Sequence, residues 1–166
     1  MDDSELLTLA AGIGAALQAQ GRMLALAESC TGGMAAQYVT AIPGSSGWFE
    51  RGFVTYSNAA KIELLDVHPD TLQKYGAVSE ETAREMALGA LKHSHAQIAA
   101  AITGIAGPDG GTPEKPAGTV CFAWALENGA VRSTVHRFAG DRATVRQLSV
   151  HTALEGVLSL TLAADS

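Results

Sequence analysis

Apolar residues recur at helical intervals in the first segment, where Leu6, Leu7, Leu9, Ala10, Ile13 and Leu17 share a broad face. Asp2, Asp3 and Glu5 precede them and Gly21 follows. The spacing predicts a helix whose positive end meets acidic side chains and whose last turn stops at glycine. Met23 to Ala27 is a short unbroken apolar run, the pattern of a strand buried on both faces. Met34 to Ile42 is helical again and stops at Pro43-Gly44, which makes a strand–turn–helix unit. Gly52 to Tyr56 predicts a second strand. Ser57 or Asn58 is placed to cap a helix running to about Leu65. Pro69 to Tyr75 predicts a short helix ended by Gly76, and Ser79 caps the next, Glu80 to His93. Gln97 to Thr103 is a third apolar strand entering a loop rich in glycine and proline. Gly118 to Leu126 and Val131 to Phe138 read as strands joined through Asn128-Gly129, a hairpin signal. Asp141 caps a last helix through about Leu162. This order predicts an α/β protein, a three-layer α/β/α sandwich on a mixed, mostly parallel sheet with a C-terminal hairpin. All 166 residues are expected to form one domain.

Composition narrows the class. There are 11 Lys and Arg against 17 Asp and Glu, a formal charge of -6. Non-specific nucleic-acid binding needs a basic surface, so no nucleic-acid partner is expected. Any phosphate must be held locally, by helix N-termini or a few basic side chains. Cys30 and Cys121 form no disulfide framework, and the five histidines are scattered, so no metal is expected. The acidic N-terminus is unlike a targeting peptide, and no apolar run reaches the ~18 residues of a membrane helix. The expectation is a soluble cytoplasmic protein without a membrane partner.

Three loops offer chemistry. In Glu28-Ser29-Cys30-Thr31-Gly32-Gly33 a strand delivers Ser29 to a turn and a helix begins at once. The first N–H groups of that helix lack intrahelical acceptors and are suited to a phosphate or an oxyanion. The alternative reading makes Ser29 or Thr31 a plain cap. Ser29 and Cys30 compete for the role of nucleophile, and a free cysteine is more often inert core. In Tyr56-Ser57-Asn58-Ala59-Ala60-Lys61, Lys61 lies one turn from Ser57 at a helix start. The dipole and partial burial would lower its pKa, enabling it to deprotonate a serine; the alternative is a solvated surface lysine. The third loop, Thr103 to Thr119, has glycines at 104, 107, 110 and 111 at the end of a buried strand. Ser45-Ser46 and Arg142 are weaker candidates for a phosphate contact.

As a set, Ala27-Glu28-Ser29-Cys30-Thr31-Gly32-Gly33, Pro43-Gly44-Ser45-Ser46, Val54-Thr55-Tyr56-Ser57 with Lys61, Gly76-Ala77-Val78-Ser79, Thr103-Gly104-Ile105-Ala106-Gly107-Pro108 and Lys115-Pro116-Ala117-Gly118-Thr119-Val120 resemble the CinA C-terminal domain family. The likeness runs in order along nearly the whole chain, with Ala117 departing from an expected valine. Stand-alone bacterial members are nicotinamide-nucleotide amidohydrolases. The resemblance therefore implies conversion of nicotinamide mononucleotide and water to nicotinate mononucleotide and ammonia, in pyridine nucleotide recycling. It implies no cofactor, and a homo-oligomer, taken as a dimer. It places the family's serine on Ser29, its tyrosine on Tyr56, its lysine on Lys61 and the threonine of the third motif on Thr103. In the scheme this suggests, Ser29 attacks the carboxamide while Lys61 takes its proton, directly or through Tyr56. Thr31, Gly32 and Gly33 would hold substrate or oxyanion, and Ser45, Ser46, Gly104, Gly107 or Arg142 the phosphate. The rival expectation is a nucleotide-binding module without turnover, with Ser29 as a cap.

Overall fold

The computed structural model describes residues 2–164. Helix α1 covers Asp3–Gln20, strand β1 Leu24–Glu28, α2 Met34–Thr40, β2 Phe49–Val54, α3 Asn58–Leu65, α4 Pro69–Tyr75 and α5 Glu80–Lys92. Strands β3 Ile98–Gly104, β4 Thr119–Leu126 and β5 Val131–Arg137 follow, and α6 Arg142–Ala163 ends the described chain. The caps expected at Ser57, Ser79 and Asp141 are in place, and Asp2 caps α1 as well. Asp2, Ser57, Ser79 and Asp141 each accept a backbone N–H three residues on, from Glu5, Ala60, Thr82 and Thr144. Gly21 closes α1 in the left-handed region at φ 64°.

The second strand differs from expectation. It starts at Phe49 and stops at Val54, because its ladder to β1 runs from Leu24–Phe49 to Glu28–Val54. As a sheet edge it keeps charged Glu50 and Arg51 and buries no full face, so its hydrophobic pattern is weak. Ser45–Gly47, the segment of the phosphate candidates Ser45 and Ser46, forms one turn of 3₁₀-helix.

Among the described residues the strands form one five-stranded sheet, ordered β2-β1-β3-β4-β5. Pairs β1–β2 and β1–β3 are parallel, and β3–β4 and β4–β5 antiparallel. Only β4 thus runs against the other described strands. Alternation along the inner strands separates two different faces. Leu24, Leu26, Ile98, Ile102, Phe122 and Trp124 meet α1, α2 and α6. Ala25, Ala27, Ala99, Ala101, Cys121, Ala123 and Ala125 meet α3, α4 and α5. The bulky face holds its helices off, with Trp48 filling the gap at Gly14 of α1 and Trp124 the gap at Gly156 of α6. The small face lets α5 lie close.

The chain leaves β1 through α2 on one face, then returns from β2 through α3–α5 on the other to reach β3. Winding reverses at the neighbouring C-terminal ends of β1 and β3, where open α/β sheets place ligands.

Close packing on the small face yields a test. A Cβ on Gly89 of α5 would lie 1.9 Å from the Leu65 carbonyl oxygen, backbone that ends α3. Gly21 has open space around it and needs glycine only for its φ. Gly89→Ala is expected to lower the thermal midpoint by roughly 6–12 °C, since a clash with backbone puts overpacking at the upper end of its usual range, about 3 kcal/mol. Gly21→Ala should cost about 1 kcal/mol and a few degrees. Calorimetry finding the reverse order would contradict this packing of α5 on α3.

Candidate active site

Glu28 ends β1 on its bulky face, so Ser29 turns toward the small face, where α3 and α5 lie. Its N–H donates to the Ile102 carbonyl at 2.9 Å, which ties the start of the turn to β3. Lys61 comes in from the first turn of α3, whose start Ser57 fixes by capping. The side chain is 1% exposed. Its Nζ lies 2.9 Å from Ser29 Oγ, 2.8 Å from the Thr55 carbonyl and 3.3 Å from the Tyr56 carbonyl. Burial pushes the lysine pKa down; the Cys30 thiol nearby would pull it up only if ionised. That thiol is itself pushed up to about 11, first by burial, with the Glu28 charge adding to the effect. Burial thus favours the neutral thiol at Cys30, beside the serine.

This donor arrangement has a direct chemical reading. A neutral amine has two N–H bonds and one lone pair. With the two N–H groups on the carbonyls of Thr55 and Tyr56, the lone pair is left for the Ser29 hydroxyl proton.

Ser29, Cys30, Tyr56, Lys61, Thr103, Gly104, Gly107, Asp109 and Arg142 line a pocket of about 260 Å³, with Ala77 and Val78 forming part of its wall. Tyr56 and Thr103 sit differently from the proposed proton relay. Tyr56 is 62% exposed, and its hydroxyl accepts from Arg142 at 3.3 Å, at the rim. The direct Ser29–Lys61 contact leaves no gap for it to bridge. Thr103 Oγ1 donates to the Ala77 carbonyl at 2.8 Å, holding the α4–α5 connection against β3. Arg142 also donates to the Gly107 carbonyl at 2.9 Å, so α6 grips the glycine loop.

Five expected binding residues fall outside the pocket. Thr31 is fully buried, its hydroxyl donating to Glu28 Oε1 at 2.7 Å. The Gly32 N–H is spent on the Ser29 carbonyl at 3.1 Å, and Gly33 packs near Val54. The N-terminus of α2 is not open to an anion, because Ala35 and Ala36 donate to the Glu28 carboxylate at 2.8 and 3.0 Å. Ser45 and Ser46 lie at the far end of the sheet, next to Trp48, whose carbonyl accepts from Leu24 at the start of β1.

Sequence reasoning missed Glu28 as the helix anchor and passed over Arg146. The latter, one turn beyond Arg142, donates to the carbonyls of Cys30 at 3.2 Å and Thr31 at 3.0 Å. Its i, i+4 spacing from Arg142 was the available signal. No group of three or more His, Cys, Asp or Glu suited to a metal ion comes together among the described residues. Nor is any described helix long and apolar enough to cross a membrane.

Comparison with known proteins gives the family. The nicotinamide-nucleotide amidohydrolase PncC of Escherichia coli strain K12 is 52% identical over 155 residues, 93% of this chain and 94% of that protein. The protein of the same name from Enterobacter agglomerans is 55% identical over 146 residues, covering 88% and 89%. The crystal structure of the competence/damage inducible protein CihA from Agrobacterium tumefaciens superposes with a TM-score of 0.93 at 45% identity, over 96% of each chain. With residues 6–161 matching it as well, the chain belongs to the CinA C-terminal domain family.

Proposed function

We propose that the chain hydrolyses the carboxamide of nicotinamide mononucleotide to nicotinate mononucleotide and ammonia, with Ser29 as nucleophile and Lys61 as its base. Two full-length relatives carry the name of this activity. The observation that carries the mechanism is the buried Nζ–Oγ contact of 2.9 Å. As Ser29 Oγ bonds to the amide carbon, its proton passes to Lys61 and the carbonyl becomes an oxyanion. The trans peptide supplies a donor for that oxyanion. The Ser29 carbonyl faces the Gly32 N–H inside the turn, so the N–H of Cys30 points the other way. Cys30 thus takes the place expected for Gly32 and Gly33. The C–N bond then breaks as the Lys61 ammonium gives its proton to the departing amine, releasing ammonia. Water, deprotonated by the same lysine, cleaves the resulting ester, and Ser29 recovers its proton.

The pyridinium ring of the substrate withdraws electrons from the amide carbon, which favours the nucleotide over a plain amide. With Ser45 and Ser46 remote, its phosphate is assigned to the rim formed by Arg142 and the loop from Gly104 to Gly107. The chain is further proposed to act in the cytoplasm, as its N-terminus and hydropathy suggested, and as a homodimer, as its resemblance implied; a monomer mass by light scattering would end the dimer reading.

Ser29→Ala should lower ammonia release on the order of 10⁴-fold or more, while Cys30→Ala stays near wild type. The reverse pattern would move the nucleophile to Cys30. Calorimetric binding of the nucleotide by wild type with no product at all would favour a binding module.

Lys61 must be neutral to act, and its pKa lies below the usual lysine value of about 10.4. Hence kcat/KM should rise with pH through that lowered pKa and level off above it. Lys61→Met should remove this limb and about 10²–10⁴-fold of the rate. An unchanged profile in that variant would take the lysine out of the reaction.

Arg142→Ala is expected to raise KM for the nucleotide about 10–100-fold, the worth of a charge-assisted hydrogen bond, with a smaller effect on kcat. It should leave KM for the dephosphorylated nucleoside nearly alone. Equal losses for both substrates would place the phosphate elsewhere.

A further inference from the structure

The turn that presents Ser29 is held from two sides by groups outside the pocket. On the bulky face, the Glu28 carboxylate is 1% exposed and takes Thr31 Oγ1, Ala35 N–H and Ala36 N–H. No cation lies within salt-bridge distance of it among the described residues, so backbone donors and one hydroxyl carry its whole charge. This ties the start of α2 to the residue just before the nucleophile. From α6, the Arg146 guanidinium reaches the carbonyls of Cys30 and Thr31. It too has no described carboxylate partner, and a half-buried guanidinium spent on two adjacent carbonyls is an expensive way to gain stability alone. Arg146 thus fixes the peptide planes on either side of Thr31, and Glu28 ties the Thr31 side chain and the start of α2 to the end of β1. The same turn is closed by the Gly32 N–H on the Ser29 carbonyl, the peptide that carries the Cys30 N–H, so holding Thr31 steadies the turn from which Ser29 projects.

We propose that Glu28 and Arg146 are positioning residues for Ser29, which preset its hydroxyl against Lys61 and the Cys30 N–H toward the substrate carbonyl without touching substrate. The proposal rests on the Ser29 reading above. Arg146 is the better probe, because it is partly exposed on a long helix, whereas Glu28 is buried within the core. A displacement of about an ångström in a reacting group can cost on the order of 10²-fold in rate, so Arg146→Ala should lower kcat about 10–100-fold. Since the substrate's own contacts remain, KM should stay within about threefold of wild type, the split expected when positioning for the reaction, rather than uniform binding, is lost. The acid limb of the pH profile should not move, because Lys61 keeps its surroundings. Arg146→Lys, able to reach the carbonyls as a point charge but without the planar fork, should fall between the two. Added methylguanidinium should restore part of the kcat of Arg146→Ala, and methylammonium should restore less.

Wild-type kcat in Arg146→Ala would overturn the inference. So would a matching rise in KM, a shifted acid limb, or a variant that fails to fold, for the side chain would then bind substrate, tune Lys61 or hold the fold. Ser29→Ala in the same assay separates the two levels. If Ser29→Ala keeps turnover, the underlying nucleophile reading fails. If it is silent while Arg146→Ala runs at full speed, only the positioning role fails.

Discussion

A lysine amine sealed in the protein interior, without a carboxylate partner among the described residues, is the constraint around which the site is arranged. Burial of an ammonium is costly, so folding shifts the amine toward its neutral form. Two backbone carbonyls and the Ser29 hydroxyl surround it, so that in the neutral form two N–H groups can stay on the carbonyls while the lone pair faces the hydroxyl. A histidine–aspartate pair would achieve similar activation with a second buried charge. Here the proposed base meets no counter-ion among the described residues, which suits the cationic ring of the proposed substrate. A negative group beside the serine would attract that ring but also raise the pKa of the amine it depends on.

The architecture follows from that need. Lys61 reaches Ser29 only if α3 lies close to the end of β1, and α3 is held there by α5. The alanine-rich face of β1, β3 and β4 brings α5 down, and Gly89 lets the last turn of α3 rest on it without a side chain between. The opposite face, with its two tryptophans and large aliphatic residues, supplies the bulk of the core. The sheet therefore divides its labour, one side building stability and the other allowing close approach. The catalytic geometry proposed above belongs to the second side.

Much of this was legible in the chain. Caps and glycine stops placed the helices within a few residues, because those signals act through hydrogen bonds three or four positions away. The apolar runs of β1, β3 and β4 were plain because both their faces are buried. Edge strand β2 was displaced, since its charged start carries no burial pattern. At the site, Ser29, Lys61, Thr103, Gly104, Gly107 and Arg142 were all flagged and share one pocket. What local pattern cannot convey is which partner a polar group takes across 32 residues, as from Ser29 to Lys61, or 116, as from Cys30 to Arg146. For the same reason the open helix N-terminus expected at Gly32 and Gly33 proved closed. The acceptor that fills it, Glu28, was read as part of the loop rather than as its cap.

Glu28 also bears on why the proposed nucleophile is oxygen and not sulfur. Consecutive residues at a strand end point to opposite faces, so the carboxylate of residue 28 and the hydroxyl of residue 29 diverge, while Cys30 stays within reach of the charge. Burial and that charge together keep the thiol protonated well above neutral pH. A thiolate there would favour Lys61 as an ammonium by ion pairing, leaving no free amine for Ser29. The same carboxylate that sets the turn thereby disfavours the one charge that would pull the lysine pKa up. Glu28 itself is satisfied by two backbone N–H groups and the Thr31 hydroxyl.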